Sequence, residues 1–181
     1  MLRSYLDVGI FVFHCSIRTA FIVFCVFTGV KFLVKRKLEF KPLDMLCEFA
    51  WILTVLMILK ITGIIGGDFG TTSIFDGSVQ FSFDLFGEGL STAALLNIIL
   101  FIPFGFFSAI VFKKLRNKWI YGVFIGLIFS VMIELLQTFI GRFVELNDVL
   151  MNTTGTFIGY EIWFWLSKLK QRQKKKMTIG M

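Results

Sequence analysis

Long apolar runs, each broken by few charges, recur five times along the chain. They cover Val8–Val34, Leu43–Ile65, Ser91–Phe112, Trp119–Ile140 and Asn147–Leu166. A helix rises about 1.5 Å per residue, so about 20 apolar residues can cross the hydrocarbon core of a bilayer. The pattern therefore predicts an all-α membrane protein, a bundle of five transmembrane helices that forms one domain over residues 1–166. The first run is longer than the apolar part of a signal peptide, so we expect it to remain as a helix.

The segment between the second and third runs, residues 66–90, has a different pattern. In "VQFSFDLF" (79–86), apolar and polar residues alternate with a period of two, and Asp76-Gly77 precedes them as a turn signal. This pattern predicts a short β-hairpin on the outer membrane surface. A flap that caps the bundle and a site for a partner are its two alternative roles.

Charge sets the predicted orientation. The chain is 56% hydrophobic and 17% charged, which excludes an ordinary soluble domain. Its net charge of +7 does not indicate nucleic acid, because fifteen of the nineteen basic residues lie in three short blocks beside apolar runs, at 31–41, 113–118 and 168–176. In a five-span arrangement these blocks share one side, so the positive-inside rule places the N-terminus outside and residues 167–181 in the cytoplasm as a basic tail. We interpret that tail as a topology anchor rather than a lipid or nucleic-acid site.

Polar side chains gather toward the outer ends of the predicted spans. The candidates are Asn97, Glu134, Gln137, Arg142, Asp148 and Asn152. From the helical rise, Asn97 and Glu134 lie about 9 Å, and Asn152 about 7 Å, below the outer ends of their helices. An ionisable group in hydrocarbon costs at least ~2.5–3.5 kcal/mol, so it normally faces a partner, water or a ligand. The shared depth predicts a polar pocket that is open to the outer leaflet.

A network of hydrogen bonds between helices is the alternative to a binding pocket. In that network an acid pairs with Arg142 and the amides bridge helices. For Asn97 and Gln137 taken alone we favour the network, because amides commonly join membrane helices. For Glu134 we favour the binding role, because a buried carboxylate is costlier.

Other residues in these spans indicate packing rather than chemistry. Gly155 and Gly159 form a small-xxx-small pattern that lets two helices approach closely, and Pro103 and Gly105 are expected to bend and pack the third span. The region contains no Ser/His/Asp set, Cys/His pair or HExxH motif. The three cysteines lack metal or redox spacing. We therefore predict no catalytic residue, metal site or cofactor.

Two stretches resemble the VanZ-like family of bacterial integral membrane proteins. They are "NIILFIPFGFF" (97–107) and "IELLQTFIGRFVELNDVLMNTTGTFIGY" (133–160). The matching residues are Asn97, Phe101, Pro103, Gly105, Glu134, Gln137, Arg142, Asp148, Asn152, Thr153, Gly155 and Gly159. The resemblance covers residues 90–166, whereas "FSFDLFGEG" (81–89) departs from the family pattern.

The resemblance implies a multi-pass protein of the bacterial plasma membrane. The founding member is associated with low-level resistance to teicoplanin, so the resemblance implies a role in the cell envelope. Expected partners are the lipid bilayer and a glycopeptide, a lipid-linked cell-wall precursor or another membrane protein. Our leading hypothesis is a non-enzymatic envelope protein. The alternatives are a small transporter or flippase, and an intramembrane enzyme that acts on a lipid-linked substrate with Glu134 or Asp148 as general acid or base and Arg142 as phosphate clamp.

Overall fold

The computed structural model describes residues 2–35, 41–67, 81–82, 91–116, 118–141 and 144–179. Within these residues the chain forms five α-helices, a 3₁₀ turn at Lys113–Leu115 and two strands of two residues each. The helices are α1 (Leu2–Lys35), α2 (Pro42–Ile61), α3 (Thr92–Val111), α4 (Ile120–Thr138) and α5 (Leu146–Ile179), and the strands are β1 (Phe81–Ser82) and β2 (Val144–Glu145). The all-α prediction is therefore confirmed, apart from one short bridge between strands.

Among the described residues, four helices are long and apolar enough to cross a membrane. Their spans are Leu6–Val34, Pro42–Ile61, Thr92–Val111 and Ile120–Thr138, which correspond to the first four predicted runs. Helix α5 is not among them, because polar residues occupy its first turns and basic residues its last turns. The fifth span and the orientation of the termini remain predictions.

Local chemistry explains where the helices begin and end. Helix α3 begins after Ser91, whose side-chain oxygen accepts the N–H of Ala94 at 3.1 Å, a typical N-cap bond. Helix α2 ends at Ile61, four residues before the predicted end, because Gly63 takes the left-handed conformation with φ +79°. Helix α5 continues to Ile179 instead of ending at Leu166, since its Lys-, Gln- and Arg-rich tail consists largely of good helix formers.

The strands form one parallel pair. Phe81 is in register with Val144, and Ser82 with Glu145. Residues 68–80 and 83–90, which hold most of the predicted hairpin, lie outside the described residues. The described part of that loop pairs instead with the segment just before α5.

The chain divides into two compact units. The first, called here the α1–α2 unit, comprises Met1–Ser82 and Met132–Glu145. In it, Lys31 Nζ lies 2.5 Å from Glu48 Oε1, and the rings of Phe24 and Phe49 meet edge to face with centroids 5.8 Å apart. An ion pair and an aromatic pair thus join α1 to α2.

The second unit, called here the α3–α5 unit, comprises Phe83–Val131 and Leu146–Met181. Gly155 lies against the backbone of Ile98, and Gly159 against that of Ile102, so α3 and α5 run in the same direction. The α4 part of this unit runs the opposite way, because Gly126 lies against Thr156 while the earlier Gly122 lies against Tyr160, one turn further along α5.

Candidate functional site

An amide and a carboxylate join α3 to α5 near the start of both helices. Asn97 Nδ2 donates to Asp148 Oδ1 at 2.8 Å, and both side chains are partly buried. Hydrogen bonds to an ionised acceptor are stronger than neutral ones, and a low dielectric strengthens them further. The pair fixes the orientation of the Asp148 carboxylate relative to α3.

A second polar pair lies one turn further along α5. Asn152 Nδ2 donates to Ser130 Oγ of α4 at 2.9 Å, and the two residues are only 3% and 0% exposed. Ser130 was not among the residues singled out from the sequence. The sequence holds one indication of its role. Ser130 lies four residues before Glu134, so the two share a face of α4. Asp148 and Asn152 share a face of α5 at i, i+4 spacing. We group the two pairs with Thr153, the next residue of α5, as the α3–α5 polar cluster: Asn97, Ser130, Asp148, Asn152 and Thr153.

The α3–α5 polar cluster contains acceptors that the protein does not satisfy. Among the described residues, Asn152 Oδ1 and Thr153 Oγ1 are buried without a hydrogen-bond partner. Nearly all buried polar atoms in proteins have a partner, because an unmade hydrogen bond costs about 1–3 kcal/mol. Together with the Asp148 carboxylate, these oxygens complement hydrogen-bond donors such as hydroxyl, amide or ammonium groups.

Glycines let the backbones of α3 and α5 approach each other closely beside the cluster. A Cβ at Gly159 would lie 2.8 Å from the backbone nitrogen of Phe106, and one at Gly105 would lie 2.9 Å from the Cα of Thr156 and closer still to its carbonyl group. Such backbone contact is possible only without side chains between the helices. Pro103 is exposed, and α3 continues through it without interruption.

Glu134 and Gln137 each form a hydrogen bond within the α1–α2 unit. Gln137 Nε2 donates to the backbone oxygen of Thr62 at 2.9 Å, which joins α4 to the turn that follows α2. Glu134 is 3% exposed, and its Oε2 accepts the N–H of Glu145 at 3.1 Å. Since α4 ends at Thr138, Glu134 lies about 6 Å from the end of its helix, less than the sequence predicted.

The structure therefore gives the six predicted pocket residues different contacts. Asn97 and Asp148 contact each other, and Asn152 contacts Ser130. Arg142 lies outside the described residues. That all six line one pocket remains a prediction. Among the described residues, no group of three His, Cys, Asp or Glu side chains could hold a metal ion.

Apolar helices that are long enough to cross a membrane, with polar groups buried between helices, are typical of helical membrane proteins. Comparison with known protein families matches residues 11–167 to VanZ/LLP1. The chain belongs to the VanZ/LLP1 family, and the resemblance found in the motifs is confirmed. The match also includes most of α1 and all of α2, beyond the region 90–166 that carries the motifs. No curated protein and no solved structure gave a significant match.

Proposed function

We propose that the protein acts in the bacterial cell envelope by binding a polar group of an envelope molecule at the α3–α5 polar cluster. The observation that supports this most is the unsatisfied Oδ1 of Asn152, which belongs to a side chain only 3% exposed. A network that served packing alone would gain by pairing this oxygen, because burying an unpaired amide group costs about 1–3 kcal/mol in proteins.

The chemistry of the cluster favours a ligand rich in hydrogen-bond donors. Asp148 supplies negative charge, and Asn152 and Thr153 supply neutral acceptors. Glycopeptides and lipid-linked cell-wall precursors both carry sugar hydroxyls and amide N–H groups that fit such acceptors. A teicoplanin-type antibiotic or a cell-wall precursor is therefore the proposed ligand class, in keeping with the association of the founding family member with teicoplanin resistance.

The proposal includes α5 as a fifth span. The polar side chains that lower its hydropathy are turned inward: Asn152, Thr153 and Thr156 are 3%, 9% and 1% exposed. Lipid would therefore meet mainly the apolar face of the helix. Five spans place the basic segments on the cytoplasmic side, and the starts of α3 and α5, with the cluster, on the outer side.

The test compares two carboxylates on α5. In a strain that lacks the gene, wild-type protein, Asp148→Asn and Glu161→Gln are each expressed, and teicoplanin susceptibility and protein abundance are measured. We expect Asp148→Asn to lose the protection while its abundance stays normal, because the amide can still contact Asn97 but has lost the charge. Glu161→Gln, the same chemical change three turns further along the helix, should behave as wild type.

Two outcomes would contradict the proposal. Normal abundance with normal protection in Asp148→Asn would exclude a role for its charge. Loss of abundance and protection together would indicate that the pair serves only to hold α3 and α5 together. Glu134→Gln, tested in parallel, measures the contribution of that buried carboxylate separately.

A further inference from the structure

A cleft at the other end of the α3–α5 unit combines positive charge with aromatic rings. It has a volume of about 620 Å³ and lies between Arg116, which follows α3, and the stretch of α5 from Trp163 to Gln171. It is more than ten residues along α5 from Asn152, so it is separate from the polar cluster. Its basic residues belong to the blocks at 113–118 and 168–176, and the sequence alone indicates a topology anchor rather than a lipid site for Lys168 and Lys170. The structure adds the cleft in which these lysines meet Arg116.

Arg116 is held in place from two sides. Its Nε donates to the backbone oxygen of Ala109 at 2.9 Å and its Nη2 donates to that of Ile110, which caps the carbonyl end of α3 with a positive charge. Its guanidinium also lies 5.1 Å from the ring centroid of Trp163, within the range of a cation–π contact. A guanidinium has five N–H donors, and the two backbone bonds leave three available.

Two further cations line the cleft. Lys168 is exposed, with its Nζ 4.1 Å from the ring centroid of Phe164, and Lys170 is exposed as well. In the part of the chain that the structure describes, neither lysine nor Arg116 forms an ion pair with an acid. The cleft therefore presents three uncompensated positive charges beside an aromatic wall.

We propose that this cleft binds the phosphate of an anionic phospholipid headgroup. The free donors of Arg116 and the ammonium groups of Lys168 and Lys170 match the oxygens of a phosphate. The cleft begins where the apolar helix α3 ends, the depth at which headgroups lie, and Trp163 and Trp165 are residues typical of that interface. General attraction of basic residues to a negative leaflet would not require a guanidinium fixed at a defined place.

The test uses the full-length protein in detergent. Short-chain phosphatidylglycerol, short-chain phosphatidylcholine and inorganic phosphate are titrated separately, and bound lipid is counted by native mass spectrometry. We expect one phosphatidylglycerol to bind in preference to phosphatidylcholine. Attraction of a lysine to an anionic membrane surface is worth about fivefold in affinity. If each lysine contributes as much to one bound headgroup, Lys168→Gln with Lys170→Gln should weaken this binding about 25-fold.

The control removes the same charge outside the cleft. Lys175→Gln, on the exposed part of the tail, should change the affinity less than about twofold, because its ammonium does not line the cleft. Arg116→Lys keeps the charge at the end of α3 but loses the planar guanidinium and its several N–H donors. It should therefore weaken lipid binding, while the melting temperature of the protein stays near that of wild type. Equal losses in Lys175→Gln and the double variant would overturn the proposal in favour of general electrostatics. Equal affinity for inorganic phosphate would overturn the assignment to a lipid.

Discussion

Replacing Gly159 with alanine tests the contact that brings α3 and α5 together. A Cβ at this position would lie 2.8 Å from the backbone nitrogen of Phe106 and still closer to the backbone oxygen of Ile102. Both are backbone atoms of α3, so no rotation of a side chain can relieve the overlap. The two helices have to separate for the methyl group to fit.

The size of the effect follows from these distances. Ordinary van der Waals contact begins at 3.4 Å, so α3 has to retreat by at least 0.6 Å from the Phe106 nitrogen alone. Overpacking of this kind costs about 1–3 kcal/mol. The same retreat would lengthen the contact from Asn97 to Asp148, so the Gly159→Ala variant should lose function as well as stability.

Gly29→Ala is the matched control for this prediction. Gly29 lies in α1, also within an apolar helix, and a Cβ there would meet nothing within 4 Å. Both variants gain the same helix propensity from alanine, so their difference isolates the close approach of α3 and α5. The assay is unfolding of purified protein in mixed detergent micelles of increasing denaturing strength. Equal free energies of unfolding for Gly159→Ala and Gly29→Ala would show that the close approach of α3 and α5 contributes nothing to stability.

Three further predictions concern the polar contacts. Gln137→Leu should lower the free energy of unfolding by about 0.6–1.7 kcal/mol in the same assay, because it removes the hydrogen bond from the Gln137 side chain to the Thr62 carbonyl; unchanged stability would contradict this. A double-mutant cycle of Asn97→Ala and Asp148→Ala should give a coupling of at least about 0.5 kcal/mol, whereas additive losses would show that the pair contributes no interaction energy. Exchanging the charges of Lys31 and Glu48, whose side chains are 36% and 21% exposed, should restore most of the stability that either single reversal removes, and the effects should stay below about 1 kcal/mol; a double variant less stable than both singles would contradict the pairing.

The positions of the first four helices could be predicted from the sequence because lipid-facing helices need continuous apolar runs. The run Ser91–Phe112 differs from α3 by one residue at each end, and Ser91 itself carries the cap. Where a run passed into glycine-containing turns, the prediction was less accurate. Helix α2 ends before Ile65, because the left-handed Gly63 stops a helix even where the hydrophobic pattern continues.

The partners of the polar residues could not be predicted. Helical spacing shows which residues share a face, but not which neighbouring helix that face meets. Gln137 donates to a backbone carbonyl of Thr62, and a backbone atom leaves no mark in the sequence. Asn152 is joined to Ser130, a single hydroxyl in an apolar run that gave only a weak signal.

The most direct test of the central claim measures whether the α3–α5 polar cluster is reached from outside the cell. Cys15, Cys25 and Cys47 are replaced by alanine, and Ala93→Cys, at an exposed position one turn before Asn97 on α3, is introduced as the single thiol. Intact cells are treated with a thiol reagent that cannot cross the membrane, with and without teicoplanin. We expect the reagent to label the thiol from the outside of the cell, and teicoplanin to slow this labelling. Labelling only in inverted vesicles, or a rate that teicoplanin leaves unchanged, would contradict it.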